Sequence, residues 1–443
     1  MNAGYLSWTK ILRLGLVQAS LGAIVVLMTA TINRVMVVEL ALPALAPGLL
    51  VALFHGVQIL RPAWGYRSDV GGRRAPWIVG GMAALALGGV LAAAGTALAT
   101  TSTAAGLAVA TLGFLLVGLG AGSAGTNVLA TLAASVAPSR RAAAATIVWV
   151  MMIFGFAVTA PVAGHFLDPF SPSRLVEVTA VVAATAFLVA SLAIVGLEAT
   201  TRAPAARVHA RAPFREAFLQ VWAEPSARRF TIFIFVSMLA YSAQELLVEP
   251  FAGLVFGLSP GVTTKLAGLQ HGGTLTGMII VAIGASAIGG PRLGNLTSWT
   301  VAGCVGAALS LLAVAATGVL FAGVDALRGA VFALGVCNGV YAAAAIGSMM
   351  ALAGKGAQAR EGTRMGLWGA AQAMALGAGG LSGALLVDMA RLVSASPLGA
   401  YAFVFTVEAI AFLASAAIAA RIGASGATTR RDAPAATATA QSW

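Results

Sequence analysis

Two histidines stand in matching contexts. His55-Gly56 follows Pro47-Gly48, and His271-Gly272 follows Pro260-Gly261 with three more residues intervening. Each lies in an apolar run, about 10 residues from its outer end and so near mid-membrane depth at a rise of about 1.5 Å per residue. A neutral imidazole there can fill an open axial position of a bound metal centre, or it can bridge helices as a hydrogen-bonded packing group. Gln58, one helical turn from His55, and Gln270, beside His271, supply partners for the second alternative. Gln244, Glu245 and Glu249 form a second polar group, the two carboxylates four residues apart and hence on one helical face. Glu245 falls well inside an apolar run, where an exposed charge costs ~3 kcal/mol on insertion scales, so it must face a partner or a cavity. Proton coupling and a polar ligand contact are both open to it. Glu249 precedes Pro250 nearer the outer surface, where capping or packing serves equally. Glu408 and Arg61 are similarly costly; an interhelical pair accounts for either, and Arg61 can also snorkel.

The elements that must hold these groups are membrane helices. Hydrophobic residues make up 59% of the chain and charged residues 9%, more apolar surface than a soluble domain of 443 residues can hide. A spanning helix needs ~20 apolar residues. Runs between Pro, Gly and charge clusters predict spans at 11–36, 47–66, 76–99, 104–134, 143–166, 174–197, 229–255, 262–287, 295–318, 325–353, 363–388 and 398–421. The runs are continuous rather than alternating, which excludes barrel strands. The fold class expected is an all-α integral membrane protein of twelve transmembrane helices.

Net charge of +12 raises the question of nucleic acid, and the placement of the charges answers it. With the N-terminus in the cytoplasm, most Lys and Arg fall on the cytoplasmic side, among them Lys10, Arg13, Arg67, Arg73, Arg74, Arg140, Arg141, Arg292, Lys355 and Arg421. That is the positive-inside pattern, so both termini are expected to be cytoplasmic, the basic surplus to meet anionic lipid headgroups, and nucleic acid is no partner. No cleavable signal peptide is visible, and the first apolar run is expected to remain as helix one. Cys304 and Cys337 both lie inside apolar runs and support neither a disulfide framework nor a zinc site. Walker, GxSxG and HExxH patterns are absent, which leaves little for an enzyme reading.

Four segments follow: a six-helix half over 1–197, a cytoplasmic linker over 198–228, a second six-helix half over 229–422 and a disordered tail over 423–443. Within the linker, Phe214, Phe218, Val221 and Trp222 fall at helical spacing opposite Arg215 and Glu216, the pattern of an amphipathic helix on the membrane surface. The halves echo each other. Besides the paired histidines, Arg140, Trp149 and Asp168 around helix five correspond to Arg360, Trp368 and Asp388 around helix eleven. After the second span, Gly65-Tyr66-Arg67-Ser68-Asp69-Val70-Gly71-Gly72-Arg73-Arg74 resembles the G-x-x-x-D-x-x-G-R-R loop of the major facilitator superfamily. That likeness implies two parallel six-helix repeats and a substrate site between them. It assigns Gly65, Asp69, Gly72, Arg73 and Arg74 to gating and topology, whereas the second-half loop Gly289-Gly290-Pro291-Arg292 lacks the acid, so any latch should be asymmetric. Small-residue faces at Gly118, Gly122 and Gly125 and at Gly369, Ala373 and Gly377 predict close helix packing.

A narrower resemblance begins in helix seven. Gln244-Glu245-Leu246-Leu247-Val248-Glu249-Pro250-Phe251-Ala252-Gly253 is similar to the Q-D/E-x-x-x-E-P-F/Y-x-G segment of the PucC/LhaA-like bacteriochlorophyll delivery family, as are Asn33 to Leu40 and Gly369 to Ala373. The likeness spans the chain except its tail. It implies a carrier or assembly factor, not an enzyme, that supplies bacteriochlorophyll or a late precursor to light-harvesting antenna apoproteins, or works beside pigment-synthesis enzymes, in the bacterial inner membrane. Bacteriochlorophyll is then the bound substrate, and its magnesium would take His55 or His271 as an axial ligand. Only three residues separate Asp69 from Arg73, fewer than is usual in that family, which points to a sister branch. Two other readings stand beside it: a proton-coupled facilitator of a small organic solute using Glu245 or Glu408, and a noncatalytic assembly scaffold.

Overall fold

Inside a bilayer every backbone polar group must be satisfied within its own segment, so a chain this apolar resolves into helices. The computed structural model describes residues 5–61, 64, 68, 73–137, 140–197, 222–285, 295–320, 323–353, 361–394 and 396–431, and no strand occurs among them. Twelve helices follow in order: α1 (Trp8–Glu39), α2 (Leu45–Leu60), α3 (Ala75–Leu98), α4 (Thr103–Ser135), α5 (Arg141–Phe166), α6 (Pro172–Ile194), α7 (Pro225–Phe256), α8 (Pro260–Gly284), α9 (Leu296–Val319), α10 (Gly323–Ala353), α11 (Glu361–Val393) and α12 (Pro397–Arg431). Eleven are long and apolar enough to span a membrane, and α2 is a shorter apolar helix.

Two boundaries differ from those expected. The expected end of α2 at 66 lies outside the described residues. α7 begins at Pro225, so residues 225–228 belong to the helix and not to the linker. The reason is local, since proline is suited to the first helical turn, where its missing N–H has no partner to lose. α12 continues to Arg431, beyond the expected end at 421 and into the segment assigned to the tail. The amphipathic linker segment up to Val221, and residues 432–443, lie outside the described residues.

Helix pairing shows the two halves as copies. In the first, α1 meets α5 and α6, α3 meets α4 and α6, and α2 meets α4; in the second, α7 meets α11 and α12, α9 meets α10 and α12, and α8 meets α10. Adding six to each number converts one set into the other. The halves meet reciprocally, α5 against α8 and α2 against α11. This is the architecture of a major facilitator, with two parallel six-helix repeats.

Glycine spacing explains the tightest pair. On α3, Gly81, Gly88 and Gly95 recur every seven residues, and on α4 so do Gly106, Gly113 and Gly120. A methyl group added at Gly88 would lie 2.7 Å from the Gly113 carbonyl and from the Val117 amide, and one at Gly81 would lie 2.7 Å from the Ala124 amide. Backbone touches backbone here and neither can yield. Gly88→Leu should therefore destabilise the fold by about 3 kcal/mol, the upper end for overpacking, read as a loss of monodisperse protein and a lowered Tm in detergent. Unchanged melting would show that the two helices can separate freely.

Candidate functional site

Among the described residues, polar contacts between the halves gather at the end of the bundle remote from the start of α1 and the start of α7. There α1 opens into two wide turns, Leu27–Ile32 and Val35–Glu39, with Asn33 and Arg34 between them. Wide turns of this kind recur at functional positions because they re-aim side chains. Thr31 Oγ1 lies 2.9 Å from Thr264 Oγ1 of α8, and Asn33 Nδ2 donates to the Leu246 carbonyl of α7 (2.6 Å). Arg34, only 2% exposed, donates to the Leu258 carbonyl (2.5 Å) and pairs with Glu39. Its guanidinium rests against Gly253, where an added Cβ would meet Nε at 3.0 Å.

Two carboxylates complete this closed end in matching ways. Asp388, near the end of α11, accepts from the Ala44 amide (3.0 Å) and the Leu45 amide (2.8 Å), the unpartnered N–H groups at the start of α2. Asp168, just past α5, accepts from the Ser259 hydroxyl (2.8 Å) at the start of α8 and lies 4.0 Å from Lys265 Nζ. Gly257, at φ 65°, takes the left-handed conformation that ends α7 and turns the chain into Ser259-Pro260. Asp388 thus caps α2 directly, while Asp168 holds Ser259, whose own hydroxyl caps α8. With Cys304 and Cys337 replaced by alanine, the pair Thr31→Cys and Thr264→Cys should form a disulfide readily. Adding Asp168→Ala and Asp388→Ala should lower its yield, since each lost cap weakens closure by ~1 kcal/mol; a yield unaffected by both changes would remove the carboxylates from the closure.

The two histidines occupy different seams. His271, 4% exposed, lies in the α5·α8 seam with its ring 4.7 Å from that of Phe156, and its Nδ1 has no hydrogen-bond partner among the described residues. That seam is tight, because Gly268 abuts Pro161 and Gly164 abuts Gly261 and Lys265. His55 lies in the α2·α11 seam and lines a cavity of about 240 Å3 shared with Gly56, Gly377 and Leu381. One ring held between both histidines is not the arrangement present. Gln58 donates to the Phe54 carbonyl (3.3 Å) and accepts from Arg61, so both ends of its amide are engaged on its own helix. Among the described residues, the partner of Arg61 is intrahelical. Gln270 is buried beside His271.

The helix-seven acids separate similarly. Glu249, 2% exposed, shares its surroundings with Arg34 and Thr263, yet neither oxygen reaches hydrogen-bonding geometry with a described residue. Glu245 is half-buried, one turn from Tyr241, whose ring faces that of Tyr341 on α10 at 6.5 Å. Gln244 is fully buried with neither amide atom partnered among the described residues, and the same holds for the carboxylate of Glu408, 4% exposed. The expected interhelical pair at Glu408 is therefore not present among them. Buried polar groups left in this state are costly.

Of the facilitator loop, Gly65, Asp69 and Gly72 lie outside the described residues; Arg73 is exposed and Arg74 donates to the Ala130 carbonyl (3.0 Å). Gly118 meets the Phe54 carbonyl and Gly122 the Trp64 ring, the close packing expected of that face, while Gly125 has looser neighbours. On α11, Ala373 and Gly377 line the His55 cavity, and Gly377 meets α2, where an added Cβ would lie 3.4 Å from His55 Cβ. The closed end was not foreseen as a site, although the repeated Asp168 and Asp388 and the Asn33-Arg34 segment were both visible in the sequence.

The model of the PUCC protein family matches residues 31–427. Among curated proteins, the chain is 51% identical over 416 residues to the "Bacteriochlorophyll synthase 44.5 kDa chain" of Rhodobacter capsulatus, covering 94% of this chain and 95% of the relative. It is 30% identical over 433 residues to "Protein PucC" of Rhodobacter capsulatus, covering 93% and 91%. Among solved structures it is similar to a POT family transporter in complex with a thioalcohol-conjugated peptide, with TM-score 0.67, 13% identity and coverage of 93% and 96%. A bacterial homologue of the human lysosomal transporter Spinster, inward-facing and unoccupied, matches with TM-score 0.59, 15% identity and coverage of 94% and 95%. At these identities the solved structures bear on the fold alone.

Proposed function

We propose, from the premise that this chain belongs to the PUCC family, that it carries bacteriochlorophyll, or a late precursor of it, to the apoproteins of light-harvesting or photosynthetic complexes. The observation that carries this reading is the 51% identity, over nearly the whole of both chains, to a relative named for bacteriochlorophyll synthesis. The word synthase in that name sets an enzyme reading beside it. Supporting a carrier are the transporter architecture and the likeness to "Protein PucC". A carrier or assembly factor working beside pigment-synthesis enzymes fits both the name and the residues.

The chain is a multi-pass membrane protein. We place it in the bacterial inner membrane with both termini and the linker in the cytoplasm, which makes the closed end periplasmic, because the arginine-rich segments lie at the opposite end. Reporter fusions at Ala210 and Ala440 should behave as cytoplasmic; a periplasmic signal from either would overturn the orientation.

Delivery is separated from scaffolding by transfer. Protein purified with pigment, mixed with antenna apoprotein in detergent, should give up its pigment and yield the spectrum of an assembled complex. Pigment that stays bound would favour the scaffold. The half-buried Glu245 and the buried Glu408 favour a proton-coupled solute carrier as the second reading, for which vesicles would show pigment-independent uptake driven by a pH gradient.

A further inference from the structure

The two seams between the halves are related by the repeat, yet among the described residues they are packed differently. Along α5·α8, the Phe156 ring packs tilted against His271, Gly268 abuts Pro161, and Gly261 abuts Gly164 and Asp168. Along α2·α11 the seam is closed at the Asp388 cap and opens below it. His55 lies ten residues from Leu45, about 15 Å along the helix at 1.5 Å per residue. Around it Ala52, Gly56, Gly377, Ala378 and Leu381 form the wall of the 240 Å3 cavity. Its rim is flush with apolar side chains turned outward to the bilayer, Ile59 at 68% exposure and Met374 at 55%.

The chemistry of this cavity is narrow. Among the residues that line it, His55 alone carries a polar side chain, and the imidazole has no hydrogen bond among the described residues. The wall is otherwise glycine, alanine and aliphatic, which lets a flat ring approach the backbone of both helices. At about 240 Å3 it is smaller than the 300–1,000 Å3 of sites that engulf a whole ligand. A ligand there must stand partly in the lipid. That excludes hydrophilic solutes and suits a large planar amphiphile whose tail remains among acyl chains.

We propose that the α2·α11 seam is a lateral, membrane-facing site for a magnesium tetrapyrrole, with the His55 imidazole as axial ligand to the magnesium and the ring laid against Gly56 and Gly377. This rests on the pigment-carrier reading and adds to it which seam is used and from where the cargo enters. The cargo comes from the cytoplasmic-leaflet side of the bilayer, beneath the Asp388 cap, without passing through a water-filled channel. His271 is a packing residue of the closed seam.

Two glycines make the test clean. A Cβ at Gly56 meets nothing within 4 Å, and the same is true of its repeat mate Gly272 beside the closed seam. Gly56→Leu therefore adds bulk at the wall of the cavity with no clash at its Cβ, and Gly272→Leu is its matched control. Wild type, His55→Leu, Gly56→Leu and Gly272→Leu are purified in mild detergent from a pigment-making host. Pigment per protein is measured, together with the absorption band that shifts with axial coordination of magnesium. Wild type and Gly272→Leu should retain pigment alike; Gly56→Leu and His55→Leu should lose on the order of tenfold, the low end for groups that support a metal site. Residual pigment in His55→Leu should show altered coordination. If His55→Leu does not accumulate, Gly56→Leu decides. Wild-type retention in Gly56→Leu and unchanged coordination in His55→Leu would overturn this site while leaving pigment delivery standing, as would equal loss in Gly272→Leu. Wild-type protein free of pigment would overturn both.

Discussion

Arg34→Leu should cost about 3 kcal/mol or more, as expected when one member of a buried charged network is removed. Its partner Glu39 is 36% exposed and recovers solvent easily, so that half of the pair contributes little. The cost arises at the buried end. The Leu258 carbonyl loses its donor, and Glu249 is left at 2% exposure without a cation beside it. The sign of a second change follows. Adding Glu249→Leu should recover part of the loss, because it removes the carboxylate that the first change left stranded. Thermal unfolding of the single and double variants in detergent reads this directly. Strict additivity would mean that Arg34 and Glu249 do not share one electrostatic environment.

Loss of the whole protein should be felt in the photosynthetic membrane and hardly elsewhere. A deletion strain of the source organism should assemble far less antenna complex, seen as loss of the near-infrared absorption of the membranes. Its growth without photosynthesis should remain close to normal, because a pigment carrier has no other cargo. A general nutrient carrier would reverse that pattern. Normal antenna spectra in the deletion strain, with no related gene compensating, would remove pigment delivery as the function. Restoring wild type should recover the spectrum, and Gly88→Leu should fail to do so for want of folded protein.

The twelve helices were legible because the bilayer demands long apolar runs, and this chain separates them with Pro, Gly and charge. The repeat was legible in the matched histidines and aspartates. What those residues do was not, since the partners are remote: Asp168 meets Ser259 across 91 positions, and Asp388 meets Ala44 across 344. The α3–α4 glycine heptads are plain in the sequence, but their meaning depends on which helix lies opposite. The histidines misled in an informative way. Their contexts are alike in sequence, yet α5 brings Phe156 and Pro161 to one while α11 brings Gly377 and Ala373 to the other, so one seam closes and the other stays open. Gln58, one turn from His55, offered that histidine a packing partner, and Arg61 three residues further on engages it instead.

The claim at the centre is that this membrane protein holds bacteriochlorophyll or a close precursor. Its most direct test is the absorption spectrum of the protein purified gently from a host that makes the pigment, taken beside an unrelated major facilitator prepared identically. Tetrapyrrole bands that copurify in fixed proportion to this protein, persist through size exclusion and are missing from the control are the expected result. A spectrum indistinguishable from the control would contradict the claim.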